Sequence, residues 1–139
     1  GPEGQAILDV GGDAVGARLL NAYAATIRRR GYDMWVVVNP FRYGSAADQA
    51  VAQAADIEAM SGLSPTGVVA NPHVGRDTRP EDVMRGIAEV REAAERLDLP
   101  LAFAGVERSL LASFDLDELA ALPLDLMVRL PWELRGAEE

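Results

Sequence analysis

Asp9, the glycines that follow it, and the asparagines closing two later apolar runs are the residues here whose type and spacing could do chemistry. In Ala6-Ile7-Leu8-Asp9-Val10-Gly11-Gly12-Asp13 a short apolar run carries a carboxylate near its end, and a glycine turn leads on into Ala14-Val15-Gly16-Ala17-Arg18-Leu19-Leu20. Read as strand, turn and helix, the stretch sets a carboxylate and bare backbone N–H groups at the carboxyl edge of a sheet, where open α/β sheets bind ligands. A carboxylate there suits water-mediated coordination of Mg2+ beside phosphates. It equally suits capping of backbone donors in a tight turn. Asn39 and Asn71 both precede proline, which holds them extended, and each either offers its amide to a ligand or closes an Asx turn. His73 shares a loop with Asn71 but has no nucleophile beside it to act on as a base. Arg42, Arg76 and Arg79 lie on loops after apolar runs and suit a phosphate or a partner subunit.

Two phosphate-binding patterns can be tested directly. Gly11 and Gly16 match the outer positions of Gly-x-Gly-x-x-Gly, but Asp13 holds the middle one, and a carboxylate there repels a pyrophosphate at a helix N-terminus. The phosphate loop that ends in Lys-Ser/Thr is absent, because the chain contains no lysine at all.

The 139 residues carry 13 basic and 22 acidic side chains, a formal net charge of −9. That balance argues against nucleic acid as a direct partner, since phosphate backbones are met by clustered positive charge. With no cysteine, disulfides and thiolate metal sites are excluded, and a single histidine falls short of an ordinary zinc ligand set. No apolar run has the length of a membrane span and no secretory signal is visible, so a cytoplasmic location is expected. The length fits one α/β domain over residues 1–139. An opening Gly1-Pro2 without an initiator Met leads us to expect a piece of a larger nucleotide-binding domain or a cleaved product.

The elements that must position these residues follow from periodicity. The spacing predicts a strand over 6–10 and a helix over 14–30, with Val15, Leu19, Leu20, Tyr23 and Ile27 inward, Asp13 as N-cap and Gly31 as stop. Met34–Val38 reads as a strand covered on both faces. A helix over 46–60 follows, with Val51, Ala54, Ile57 and Met60 inward and Gly62 as terminator, and then a strand over 66–70. Thr78 and Glu81 read as a capping box opening a helix to Leu97 that buries Val83, Ile87, Val90 and Ala94. A strand over 101–106, a short helix opening at Asp115-Leu116-Asp117-Glu118, and a last strand over 126–130 stopped by Pro131 complete the order. Alternation of this kind implies right-handed crossovers and an α/β fold: three layers, a mainly parallel sheet of about five strands, and helices on both faces.

Together these residues resemble the carboxyl-terminal part of a P-loop NTPase of the MinD/ParA/CobQ type. Ile7–Asp13 is similar to the Walker B strand and its switch turn, Thr66–Asn71 to the later strand whose terminal Asn reads the adenine edge, and Arg129-Leu130-Pro131 to the final strand and its proline turn. The resemblance implies that Asp9 assists Mg2+ through water. It also implies that Gly11 and Gly12 form the switch backbone with Gly12 at the γ-phosphate, that Asn71 contacts the base, and that Pro131 borders the base pocket. Its cofactors are ATP and Mg2+, bound in the intact parent. The chain departs from the family in lacking the Walker A strand, loop and lysine. An apolar strand deprived of that neighbour exposes its hydrogen-bonding edge, so a missing N-terminal segment or a second copy of the chain is expected to cover it. Hydrolysis by this chain alone is not expected, because the groups that neutralise the phosphates are gone. Two alternatives are an α/β interaction or dimerisation module that has lost the phosphate loop, and a Rossmann- or flavodoxin-like small-molecule binder with its site at Gly11–Gly16.

Overall fold

The computed structural model describes residues 4–11, 14–42 and 44–127. Trp35–Val38, an aromatic followed by three β-branched valines, forms β1, Gly67–Ala70 forms β2, and Leu101–Glu107 forms β3. Ala121–Leu124 forms β4. They pair in the order β1-β2-β3-β4, every neighbour parallel, with Trp35 level with Gly67, Ala70 with Ala104, and Gly105 with Leu122. The α/β class and the parallel sheet are as expected, with four strands in place of about five.

Helices α1 (Ala14–Asn21), α2 (Ala24–Arg30), α3 (Ala46–Ser61) and α4 (Pro80–Arg96) connect or flank these strands. Side chains alternate along each strand. Val36, Val38, Val68, Ala70, Ala104 and Val106 therefore enter one core with Ala47, Ala50 and Ala54 of α3 and Val83, Ile87, Val90 and Ala94 of α4. Helices α3 and α4 lie side by side over this face, and α1 packs on α3. Val51 and Met60, expected inward on α3, are half-buried, and small alanines take the buried positions. Ser45 caps α3 by accepting the Asp48 N–H at 3.3 Å, and Gly62 ends it in the left-handed conformation (φ 68°).

On the other face the indole of Trp35 lies over Gly67 and meets Phe103 edge-on, with ring centroids 5.2 Å apart. A Cβ at Gly67 would come within 3.2 Å of Trp35 Cδ1. Val37 stands beside this pair at 55% exposure.

Several boundaries differ from the sequence reading. Residues 6–10 form no strand, and Ile7 is 90% exposed. A parallel strand exists only with a neighbour to bond, and among the described residues β1 bonds to β2 alone. The helix expected over 14–30 divides at Ala22-Tyr23, where the Tyr23 N–H turns back to the Leu20 carbonyl at 2.9 Å. Helix α4 starts at Pro80, so Arg79, not Thr78, is the N-cap, and the Arg79 N–H donates to the Asp82 carboxylate at 3.1 Å. Proline is pre-organised for the first helical position and holds the preceding residue extended, which fixes that start. Asp115–Glu118 opens no helix: the Asp117 N–H donates to Asp115 Oδ1 at 3.0 Å, closing an Asx turn. Strand β4 lies at 121–124, before the position expected for the last strand. It tolerates Pro123 because among the described residues it is an edge strand, paired on one side only. Residues 125–127 have no regular structure, and the rest of the expected 126–130 strand lies outside the described residues, as do Gly12, Asp13 and Pro131.

Candidate functional site

A cavity of about 120 Å³ opens at the carboxyl ends of β2, β3 and β4, among Asn71, His73, Thr78, Gly105, Glu107 and Leu124. Its position is the edge at which parallel sheets receive ligands. The Asn71 backbone is pinned to β1, its N–H donating to the Val38 carbonyl at 2.8 Å. The Asn71 side chain is less tied: its Oδ1 is buried and has no hydrogen-bond partner. Leaving such an acceptor unmet costs about 1–3 kcal/mol, which a ligand N–H would recover.

The surrounding loop is tied by side-chain hydrogen bonds. Asn39, at the equivalent end of β1, donates through Nδ2 to the His73 carbonyl (2.9 Å) and accepts the Phe41 N–H on Oδ1 (3.1 Å). Thr78 is buried; its hydroxyl donates to the Gly75 carbonyl (2.6 Å) and accepts the Val74 N–H (3.0 Å). The Gly75 N–H donates to His73 Nδ1 at 2.9 Å. In the neutral ring Nε2 then carries the proton and is the donor.

Gly105 forms the floor. A Cβ there would lie 2.9 Å from Leu124 Cδ1 and 3.6 Å from Asn71 Oδ1, so the missing side chain leaves room above the sheet. Glu107, two residues on and on the same face, accepts the Ser109 hydroxyl at 2.8 Å. The next residue, Arg108, points elsewhere and forks onto Asp125 at 3.0 and 2.9 Å. These bonds hold the Asp125 carboxyl below the usual carboxylate range.

Whole-ligand pockets run to roughly 300–1,000 Å³, whereas a cavity of about 150 Å³ holds benzene. The space beside Asn71 is thus well below the volume of an entire cofactor. Among its lining residues, Asn71 and Glu107 carry acceptors and the His73 ring carries a donor.

Of the described residues weighed for chemistry from sequence, Asn71 and His73 line this cavity. Asp9 and Gly11 are exposed in the irregular segment before α1 and do not line it. Asn39 serves the loop, and Arg42, Arg76 and Arg79 are exposed. Glu107, Gly105 and Thr78 were not anticipated. The signal for Glu107 was a polar residue closing an apolar strand, the same signal that singled out Asn71. Among the described residues no group of three or more His, Cys, Asp or Glu could hold a metal ion, and no helix is long and apolar enough to cross a membrane. Compared with known protein families, curated proteins and solved structures, the chain matches none.

Proposed function

We propose that this chain is an ATP-binding α/β domain, the carboxyl-terminal part of a P-loop NTPase of the MinD/ParA/CobQ type, with the base seated in the cavity beyond β2. The unpaired Oδ1 of Asn71 carries the reading, because an asparagine amide meets adenine through the N6 amine and a ring nitrogen. In this reading Asp9 holds Mg2+ through water, Gly11 and Gly12 form the switch backbone, and Pro131 borders the base. The sequence has no lysine for the phosphates, so we assign the chain base recognition and leave hydrolysis to a larger cytoplasmic parent. Calorimetric titration of Mg-ATP tests this. Asn71→Ala is expected to weaken binding about tenfold or more, and equal affinity for wild type and variant rejects the assignment.

A second reading, a homo-oligomeric interaction module, is favoured by one observation. Val15, Leu19 and Tyr23 recur every four residues and are all exposed, as are Ile7 and Leu8. Under it Leu19→Glu converts an oligomer to a monomer in sedimentation equilibrium. A wild-type chain that is monomeric at high concentration removes it.

A further inference from the structure

We propose that Glu107 is a specificity-determining residue of this cavity, and that with Asn71 it selects a purine bearing an exocyclic amine over the same purine bearing a carbonyl. The inference rests on the nucleotide-binding reading above and adds a residue to it. Ala70 is level with Ala104, so Asn71 stands beside Gly105, and Glu107 lies one side-chain repeat further along the same face of β3. Two residues of strand advance about 6.6 Å, so the side chains of Asn71 and Glu107, on one face of the sheet, can both reach a single group seated above Gly105.

Both of these groups accept hydrogen bonds: Asn71 through an Oδ1 with no protein donor, and Glu107 through a carboxylate whose only hydrogen-bond donor seen is the Ser109 hydroxyl. An exocyclic amine carries two hydrogens and can satisfy both acceptors at once. A carbonyl oxygen in its place offers none, so it leaves Asn71 Oδ1 unmet and sets an oxygen against a carboxylate. The His73 ring N–H supplies the complementary donor for a purine ring nitrogen. Gly105 makes the arrangement possible, since any Cβ there would press on Leu124 and narrow the space in front of Asn71.

The experiment compares Mg-ATP with Mg-ITP, which differ only in amine against carbonyl at the same ring carbon, by calorimetry on the wild-type chain and on Glu107→Gln. Glutamine keeps an acceptor and adds a donor, so it can meet either group. The expected result is a wild-type preference for ATP of roughly ten- to a hundredfold, falling to within about threefold in Glu107→Gln while ATP still binds. Circular dichroism checks that the half-buried Glu107 position tolerates the change. Equal binding of ATP and ITP by the wild type overturns the proposal and leaves the nucleotide reading standing. A preference that survives Glu107→Gln overturns the role of Glu107. Failure of both nucleotides to bind the wild type overturns the nucleotide reading and this inference with it.

Discussion

Asn39 and Asn71 occupy the same position in the fold and do different things. Each ends a parallel strand, each precedes proline, and their strands are neighbours in register. The amide of Asn39 is consumed: it donates to the His73 carbonyl and accepts from Phe41. Asn71, a residue lining the cavity, keeps a buried oxygen with no partner among the described residues. An identical dipeptide thus acts as a brace in one copy and leaves an open valence in the other. What separates them is the chain beyond: after Asn39 the next residues turn back to bond it, whereas after Asn71 the loop closes on Thr78 and His73 and leaves the amide alone.

The largest perturbation strikes both copies at once. Pro40 and Pro72 converge on Gly86 of α4, where a Cβ would lie 2.9 Å from Pro40 Cγ and 2.5 Å from Pro72 Cβ. Gly86→Val forces both turns off the helix, and overpacking of this kind costs about 3 kcal/mol. Urea denaturation should show that loss, and Asn71→Ala should then produce no further change in ligand binding, because the cavity wall has already moved.

Next in size is the split between the two asparagines. Asn39→Ala strands the Phe41 N–H and the His73 carbonyl in a half-buried loop, a loss of about 2 kcal/mol. Asn71→Ala removes a buried acceptor that has no protein donor, so it is expected to cause no loss of stability and to recover up to about 1–3 kcal/mol. Binding of Mg-ATP should rank the two the other way at concentrations of urea where both are folded. Equal stability losses in denaturation curves would show that Asn71 is a second brace and erase the contrast.

The alternation of strands and helices was legible because the apolar runs of β1 and β2 end at Asn39-Pro40 and Asn71-Pro72, and α3 ends at Gly62. Asn71 was legible as a site residue for the same reason, as a polar group closing a buried strand. What sequence could not supply was which amide the neighbouring loop would claim. Nor could it show that Ile7–Val10, apolar but for Asp9, has no neighbour to bond among the described residues. Strand β4 was hidden by Pro123, which disqualifies a run from a sheet interior but not from an edge. Glu107 was hidden in another way. Its strand was plain, but its relation to Asn71 depends on the β2–β3 register, and that register slips between Val68 and Val69.

The smallest expected effect tests whether the contrast belongs to the amides or to the scaffold that carries them. Arg96 of α4 pairs with Asp48 of α3 at 2.7 Å, fastening the helix against which both prolines press. The hydrogen bond from Arg96, with its charge, holds the Asp48 carboxyl below its ordinary value, so the folded chain binds that proton less readily than the unfolded one. The stabilisation is therefore complete above the unfolded value of about 3.9 and is lost as pH falls through the lower folded value. Because the pair is exposed the effect is small. Asp48→Asn should flatten this part of the acid limb in denaturation curves taken from about pH 5 to about pH 3. Amides do not titrate in that range, so the stability gap between Asn39→Ala and Asn71→Ala should stay constant across it. A gap that closed in parallel with the loss of the Asp48 pair would mean that the position of α4, and not the hydrogen bonds of the two amides, sets the difference between the two strand ends.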